Sequence, residues 1–488
     1  MLTLAVLTAG AQQRYACTHF EGNTRGSILS KPDPPVFERD KVYRQPVVLI
    51  SFTDKDFSMD NPARYYDRLF NEEGFNEGVG PGCVADYLRD QSDGLVNMQF
   101  DIYGPYKVNS TAGGHGRNYH GFSEVGEAVE LLNASVDTDF HIYDWDGDGI
   151  VNQVLFVFAG YTGNNVTGYI WPSTSWLGGQ LSGDIEVGLA SISCEKWGDD
   201  FLCGMGTIIH EFLHCMGVPD IYPLGGASYF SSVDEWDLMD GGNYTNHGWC
   251  PPNLTAMEKL FLGWDQPTEL TEPTTITDLK SVSKGGGSYL IRNSGDPNEF
   301  YLLENRRQEG WDYGCPGNGL CIYHVDFNRD AWLENEVNIT DSHFRFSIFH
   351  ADRKDYLYWD PKNNGEDPTK WTLNDWMRNK YLSTSPYPYT DPETLIVNAS
   401  LTDTSAPAAM LYNSNAEGLK KMSKPVTNIR MADDGTISFD FMKDETAIRS
   451  VLNEETPDVW YDLQGRRFQG PPIRKGIYLR DKKKIIRQ

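Results

Sequence analysis

Basic residues are in short supply: 42 lysines and arginines stand against 69 aspartates and glutamates, a formal net charge of -27 over 488 residues. A chain this acidic repels phosphate backbones and anionic headgroups, which argues against nucleic acid and membrane surfaces as partners and favours solubility. The negative charge is spread along the chain and does not form a tail. Long apolar runs are missing too, with nothing near the roughly 18 residues that a membrane-spanning helix needs. Aromatics are not scarce: they make up 13% of the chain and include 13 tryptophans, which excludes a composition too polar to fold.

The first apolar run lacks the basic residues that open a signal peptide, yet MLTLAVLTAGAQQ carries the small-residue cleavage pattern Ala9-Gly10-Ala11. Residues 1–13 are therefore expected to be the remainder of a signal peptide whose start lies upstream of Met1, followed by a proline-rich lead-in at 14–44. The product is expected to be secreted or to sit on the cell surface, and to be a monomer. Eight cysteines suit an oxidising compartment, and the neighbours Cys194/Cys203 and Cys315/Cys321 are candidates for local disulfides. Cys215 reads as a small core residue, and nothing around Cys17 specifies a thiolate ligand.

The stretch that organises the chain is 207–220, TIIHEFLHCMGVPD. Residues four apart share a helix face, so His210 and His214 can present both imidazoles to one ion while Glu211 lies beside them. A catalytic zinc keeps a position open for water, and Glu211 is the general base suited to take that water's proton. Gly217, three residues after His214, allows the helix to end and the chain to turn back, and Pro219 cannot continue it. The third ligand is then expected from Asp220, where the extended zinc motif has a histidine. Its rival is Glu304, a lone acid in the apolar run YLLENR. A Met-containing turn is expected beneath such a site, and Met239 in 232–242 supplies it. Tyr244 and His247 are candidates for steadying an oxyanion, although a structural role suits either as well.

A second constellation is DWDGDGIVN, 144–152. Asp144, Asp146 and Asp148 alternate, Gly149 permits a sharp turn, and the Ile150 carbonyl and Asn152 can add oxygens, as in calcium loops. Position 155 is leucine where an EF-hand needs a bidentate glutamate, so the reading is a structural calcium loop of another kind, or an unoccupied turn. His324 and Asp326 stand two apart on one strand face, expected to be a hydrogen-bonded pair before a second metal site.

Around these motifs the chain alternates helix and strand: strands at 47–52, 98–103 and 153–160, helices at 63–70, 84–91 and 207–216, and a helix capped by Asn253 with the stripe Leu254, Met257, Leu260 and Phe261. After Trp264 threonine-rich alternation signals strands, and 351–388 reads as surface loops.

With the zinc motif, VVLISF (47–52), DYLRDQSDG (86–94), the acidic loop near Asp146 and GLCIYHVD (319–326), the chain resembles the immune inhibitor A family of secreted bacterial zinc metallopeptidases from about residue 45 to about residue 440. The resemblance implies an α+β, zincin-like catalytic domain, here placed at 45–265, with a β-rich accessory region at 266–443, and hydrolysis of extracellular proteins or peptides with zinc as cofactor. The end of the chain, 444–488, resembles the C-terminal sorting modules of type IX secretion cargo; a plain β-module, or a basic tail for acidic partners, is the other reading. Two further functions stand beside proteolysis: a binding or adhesion protein on an inactive protease scaffold, and a zinc hydrolase of another amide, such as a peptidoglycan link.

Overall fold

The computed structural model describes residues 35–181, 185–198, 201–223, 231, 233–340, 342–355, 358 and 382–443, with four short strands between 459 and 487. The segment 1–13, Cys17 and, but for Tyr358, the expected loop 356–381 lie outside the described residues.

The run QPVVLIS is buried at every position, as a strand covered on both faces must be. This strand, β1 (Val42–Ser51), sends Val47 and Leu49 to one side and Val48 and Ile50 to the other. The first pair joins a cluster with the helices α1 (Pro62–Asn71) and α2 (Val84–Gln91), the second a cluster beneath the helix α3 (Phe122–Ser135). Parallel to β1 run β2 (Asn97–Lys107) on one side and β3 (Ile150–Tyr161) on the other. The strand β4 (Ser173–Leu181) closes the sheet antiparallel to β5 (Ile185–Lys196), giving the order β2-β1-β3-β5-β4. The helix α4 (Gly206–Cys215) lies with α1 and α2, so Ile208, Ile209 and Phe212 share the cluster of Val47 and Leu49.

The helix α5 (Ala256–Leu262) corrects an expectation: its cap is Thr255, in a reciprocal box with Glu258, and not Asn253. The Asn253 side chain is used elsewhere, accepting from Gln91 and donating to Ser283.

A second five-stranded sheet holds β6 (Thr268–Glu269), β8 (Tyr289–Arg292), β9 (Glu299–Arg306), β10 (Gly319–Asp326) and β11 (Phe346–Ile348), in the order β11-β10-β9-β8-β6. The strands β7 (Thr274–Leu279), β14 (Val426–Met431) and β15 (Ile437–Phe441) form an antiparallel third sheet, and β12 (Tyr389–Thr390) pairs with β13 (Val397–Asn398). Every residue of β9 and β10 is buried, and pleating divides them. Phe300, Leu302, Tyr323 and Val325 join the cluster containing α4, whereas Tyr301, Leu303, Leu320 and Ile322 pack towards β7, β14 and β15. One apolar cluster is thus continuous across position 265. The short helix α6 (Arg329–Leu333) is pinned to it by Trp332, which is fully buried against Phe261 and Phe327.

The alternation expected near the end of the chain forms four antiparallel strands, β16 (Val459–Asp462), β17 (Arg467–Gln469), β18 (Gly476–Arg480) and β19 (Lys483–Arg487). The architecture is mixed α and β, sheets with few helices. Among the described residues no helix is long and apolar enough to cross a membrane.

Candidate metal centre

The helix α4 enters against the turn at 242–248 with no room for a side chain: a Cβ on Gly206 would meet the Asn243 carbonyl oxygen at 2.1 Å. It ends on Gly217, whose φ of 87° belongs to the left-handed region. The Gly217 N–H donates to the His214 carbonyl (3.0 Å) and the Val218 N–H to that of Leu213 (3.1 Å), the paired bonds of a Schellman stop. This turn aims the Val218 carbonyl at His214 Nδ1, 2.8 Å away. His210 Nδ1 faces the Leu238 carbonyl at 3.0 Å. A carbonyl only accepts, so both Nδ1 atoms carry protons and both Nε2 atoms point inward as donors of a lone pair.

Those Nε2 atoms stand 3.1 Å apart, and Asp220 Oδ1 lies 3.3 Å from that of His210 and 3.1 Å from that of His214. All three residues are buried. Tetrahedral ligands at 2.0–2.1 Å from a zinc ion stand about 3.3 Å from one another, so the donor set fits this ion in spacing and in kind. Burial opposes charge on His210, but the Asp220 hydrogen bond and the Glu211 and Asp220 charges raise its pKa above the ordinary imidazole value. Burial likewise opposes charge on Asp220, but the two imidazoles hold its pKa well below the usual carboxylate value. Protons and a cation therefore compete for the same three atoms.

The other expected residues take definite places. Glu211 is fully buried, and its Oε2 accepts from the Thr174 hydroxyl at 2.8 Å. Met239 is buried in the turn below; its N–H donates to Asp237 Oδ1 and its carbonyl accepts from the Ile221 N–H. Glu304, the rival ligand, lies elsewhere: Oε1 pairs with Arg306 at 2.9 Å and Oε2 accepts the Ala256 N–H at the start of α5. The half-buried Tyr244 has its hydroxyl on Asn164, and the exposed His247 stacks on Phe201.

In the acidic turn one carboxylate oxygen each of Asp144, Asp146 and Asp148 lie within 4.8 Å of one another. Asp144 accepts the N–H groups of Gly147, Asp148 and Gly149, while Asn152 accepts that of Trp145, so the loop is wound around its own acids just before Ile150 opens β3. Burial first, and the Asp148 charge second, raise the Asp146 pKa.

Two expectations are corrected. His324 and Asp326 are not paired with each other: His324 reaches Glu299 across the sheet (2.8 Å), and Asp326 pairs with His343 (2.6 Å) and Arg345 (3.2 Å). Neither appears in a group able to hold a metal among the described residues. The cysteines of both candidate disulfides are free thiols. The Cys203 N–H bonds to the Glu195 carbonyl and Lys196 pairs with Leu202, so Cys203 stands opposite Glu195, and Cys194 projects from the other face. Cys315 lies 3.6 Å from Arg306 and hydrogen-bonds to Asp312 instead.

Three contributors were not visible in the motif: Thr174, the Leu238 carbonyl, and Asn335, whose side chain meets both the N–H and the carboxylate of Asp220. They come from distant strands and loops and carry no local signal.

No family model matches the chain. It is 21% identical over 347 residues to the pre-pro-metalloprotease PrtV of Vibrio cholerae, covering 61% of this chain and 37% of that protein. It is also 21% identical over 421 residues to immune inhibitor A of Bacillus thuringiensis subsp. alesti, covering 72% of this chain and 60% of the relative. The chain thus spans less than two thirds of the length of each of these relatives. These distant similarities support a place among metallopeptidases, consistent with the His-His-Asp cluster.

Proposed function

We propose that the chain is a secreted, zinc-dependent endopeptidase with a zincin-like catalytic region, acting on extracellular proteins. The observation that carries this reading is the meeting of three buried lone-pair donors at 3.1–3.3 Å with both imidazoles turned by backbone carbonyls. His210, His214 and Asp220 would hold the ion. An ion held there would supply Lewis acidity towards a scissile carbonyl and an attacking water. Glu211 takes the proton of that water and delivers it to the leaving amine, with Thr174 steadying the carboxylate at Oε2. The strand β4, which carries Thr174, is the last strand of its sheet among the described residues. An extended polypeptide can add to such an edge through main-chain hydrogen bonds, which suits an endopeptidase. Finer parts of the proposal are a structural Ca²⁺ at Asp144, Asp146, Asp148, the Ile150 carbonyl and Asn152, and a sorting role for β16–β19.

The test is zinc content and proteolysis of the purified chain, alone and as Glu211→Gln. The variant should keep its zinc and its fold but lose about 10²–10⁴-fold in turnover of unfolded casein. Turnover by a clean, zinc-loaded Glu211→Gln protein would remove Glu211 as base. Activity on peptidoglycan fragments with none on casein would move the reaction to another amide. A parent protein that holds zinc yet cleaves neither would leave the scaffold as a binding protein.

A further inference from the structure

We infer that Asn335, from the β-rich part of the chain, is a positioning residue for the metal centre, committing Asp220 to bind through one oxygen. The inference rests on the proposed role of Asp220 as a ligand.

Asn335 sits one residue past the cap of α6, with a φ of 59°. Its N–H reaches the Trp332 carbonyl and the Glu336 N–H reaches that of Ala331, the same pair of bonds that ends α4 at Gly217. Turn chemistry asks only for a residue that tolerates the left-handed region, and glycine serves that need better than asparagine. The side chain does something glycine cannot. Its Oδ1 accepts the Asp220 N–H at 2.6 Å and its Nδ2 donates to Asp220 Oδ2 at 2.7 Å. Both partners are buried, Asn335 at 4% and Asp220 at 0% exposure.

The consequence is a division of labour within one carboxylate. Oδ2 is engaged by the amide, and Oδ1 is the oxygen that faces both imidazoles. A neighbouring asparagine strengthens the hold: Asn338 Nδ2 donates to the Ile221 carbonyl, and its Oδ1 and Nδ2 are tied to the backbone of Phe346 in β11. Trp332, buried beside Phe261, fixes α6 against the body of the protein. The third ligand is thus oriented from 115 residues away, and α4 alone does not set its direction.

Asn335→Gly isolates the side chain, because it keeps and even eases the left-handed backbone. Its zinc affinity, measured on the full chain by competition with a chromophoric chelator, should fall 10–100-fold, the usual loss when the partner of a metal ligand is removed. The visible spectrum of the cobalt-substituted protein should change as Asp220 gains freedom to rotate or bind through both oxygens, while metal-free melting stays close to the parent. Asn335→Asp keeps the acceptor for the Asp220 N–H but loses the donor to Oδ2; it should also weaken zinc, and it carries the test if the glycine variant does not fold. Affinities within about twofold of the parent and unchanged cobalt spectra in the folded variants would overturn the inference, leaving the zinc reading intact. A parent that takes up no zinc at all would sink that reading instead.

Discussion

Gly217 and Thr174 show how much of the centre hangs on single residues. Gly217 holds a φ of 87°, and the turn it allows carries the carbonyl that orients His214. Gly217→Ala is expected to cost about 1–2 kcal/mol, seen as a lower urea midpoint, and to weaken zinc in the same protein. An alanine variant of parental stability and affinity would mean that the turn does not set the imidazole. The Thr174 hydroxyl donates to the Glu211 carboxylate. Thr174→Val, similar in size, should leave zinc content unchanged and lower kcat by roughly tenfold or more, the worth of a hydrogen bond to a charged group. Equal kcat would assign Thr174 to packing. The meeting of His210 and His214 was legible in the sequence because a helix turns a four-residue spacing directly into a shared face. Thr174 and Asn335 were not, since their spacing from the motif is made by strand order and by the docking of α6.

Among elements, the acidic turn before β3 and the helix α5 make contrasting use of carboxylates. The turn packs Trp145 against Phe212 of α4, so order there bears on the helix that carries His210 and His214. Added Ca²⁺ is expected to raise the melting temperature of the parent, by about 2.7 kcal/mol of stability at a hundredfold excess over its dissociation constant. Asp146→Asn should abolish the shift, and a parent indifferent to millimolar Ca²⁺ would mark the loop as a plain turn. In α5, burial above all lifts the Glu258 carboxyl from its ordinary 4.5 to about 7. Burial and the Glu258 charge lift Asp237 well above the ordinary value as well. Between about pH 4.5 and 7 the folded protein keeps a proton on Glu258 that the unfolded chain has released. Stability therefore falls as pH rises through that window, and the whole penalty is present above it. Glu258→Gln retains an acceptor for the Thr255 N–H and should gain on the order of 1–3 kcal/mol relative to the parent on going from pH 5 to pH 8 in urea unfolding. Parallel pH profiles for the two proteins would refute this.

For the whole molecule, the contact that joins the first sheet's helices to the second sheet is ionic as well as apolar. Arg306, fully buried in β9, grips Asp312 through two bonds, pairs with Glu304, and donates to the Trp236 and Asn253 carbonyls. Trp236 closes the short 3-10 turn Asp234–Trp236 two residues before Leu238, whose carbonyl faces His210, so this guanidinium supports the candidate metal centre from the far side of the core. Arg306→Met strands two buried carboxylates and should cost about 3–5 kcal/mol in unfolding, lowering zinc affinity with it. A variant as stable as the parent would show that water enters to replace the cation.

By itself, the sequence determined what is local. The buried strand at 47–52, the helices at 84–91 and 207–216 and the strand at 319–326 follow from apolar period, and the meeting of the His210 and His214 imidazoles from a four-residue spacing. It left open whether Asp220 or Glu304 stands beside the two imidazoles, and the fold places Asp220 there. Both are single acids in apolar surroundings, and only the fold brings Arg306 to one and two imidazoles to the other. The same limit applied to the thiols and to His324, whose partners depend on which face of a sheet each side chain leaves from. Local conformation is encoded by neighbours along the chain; partners across it are chosen by packing, which no short window of residues contains.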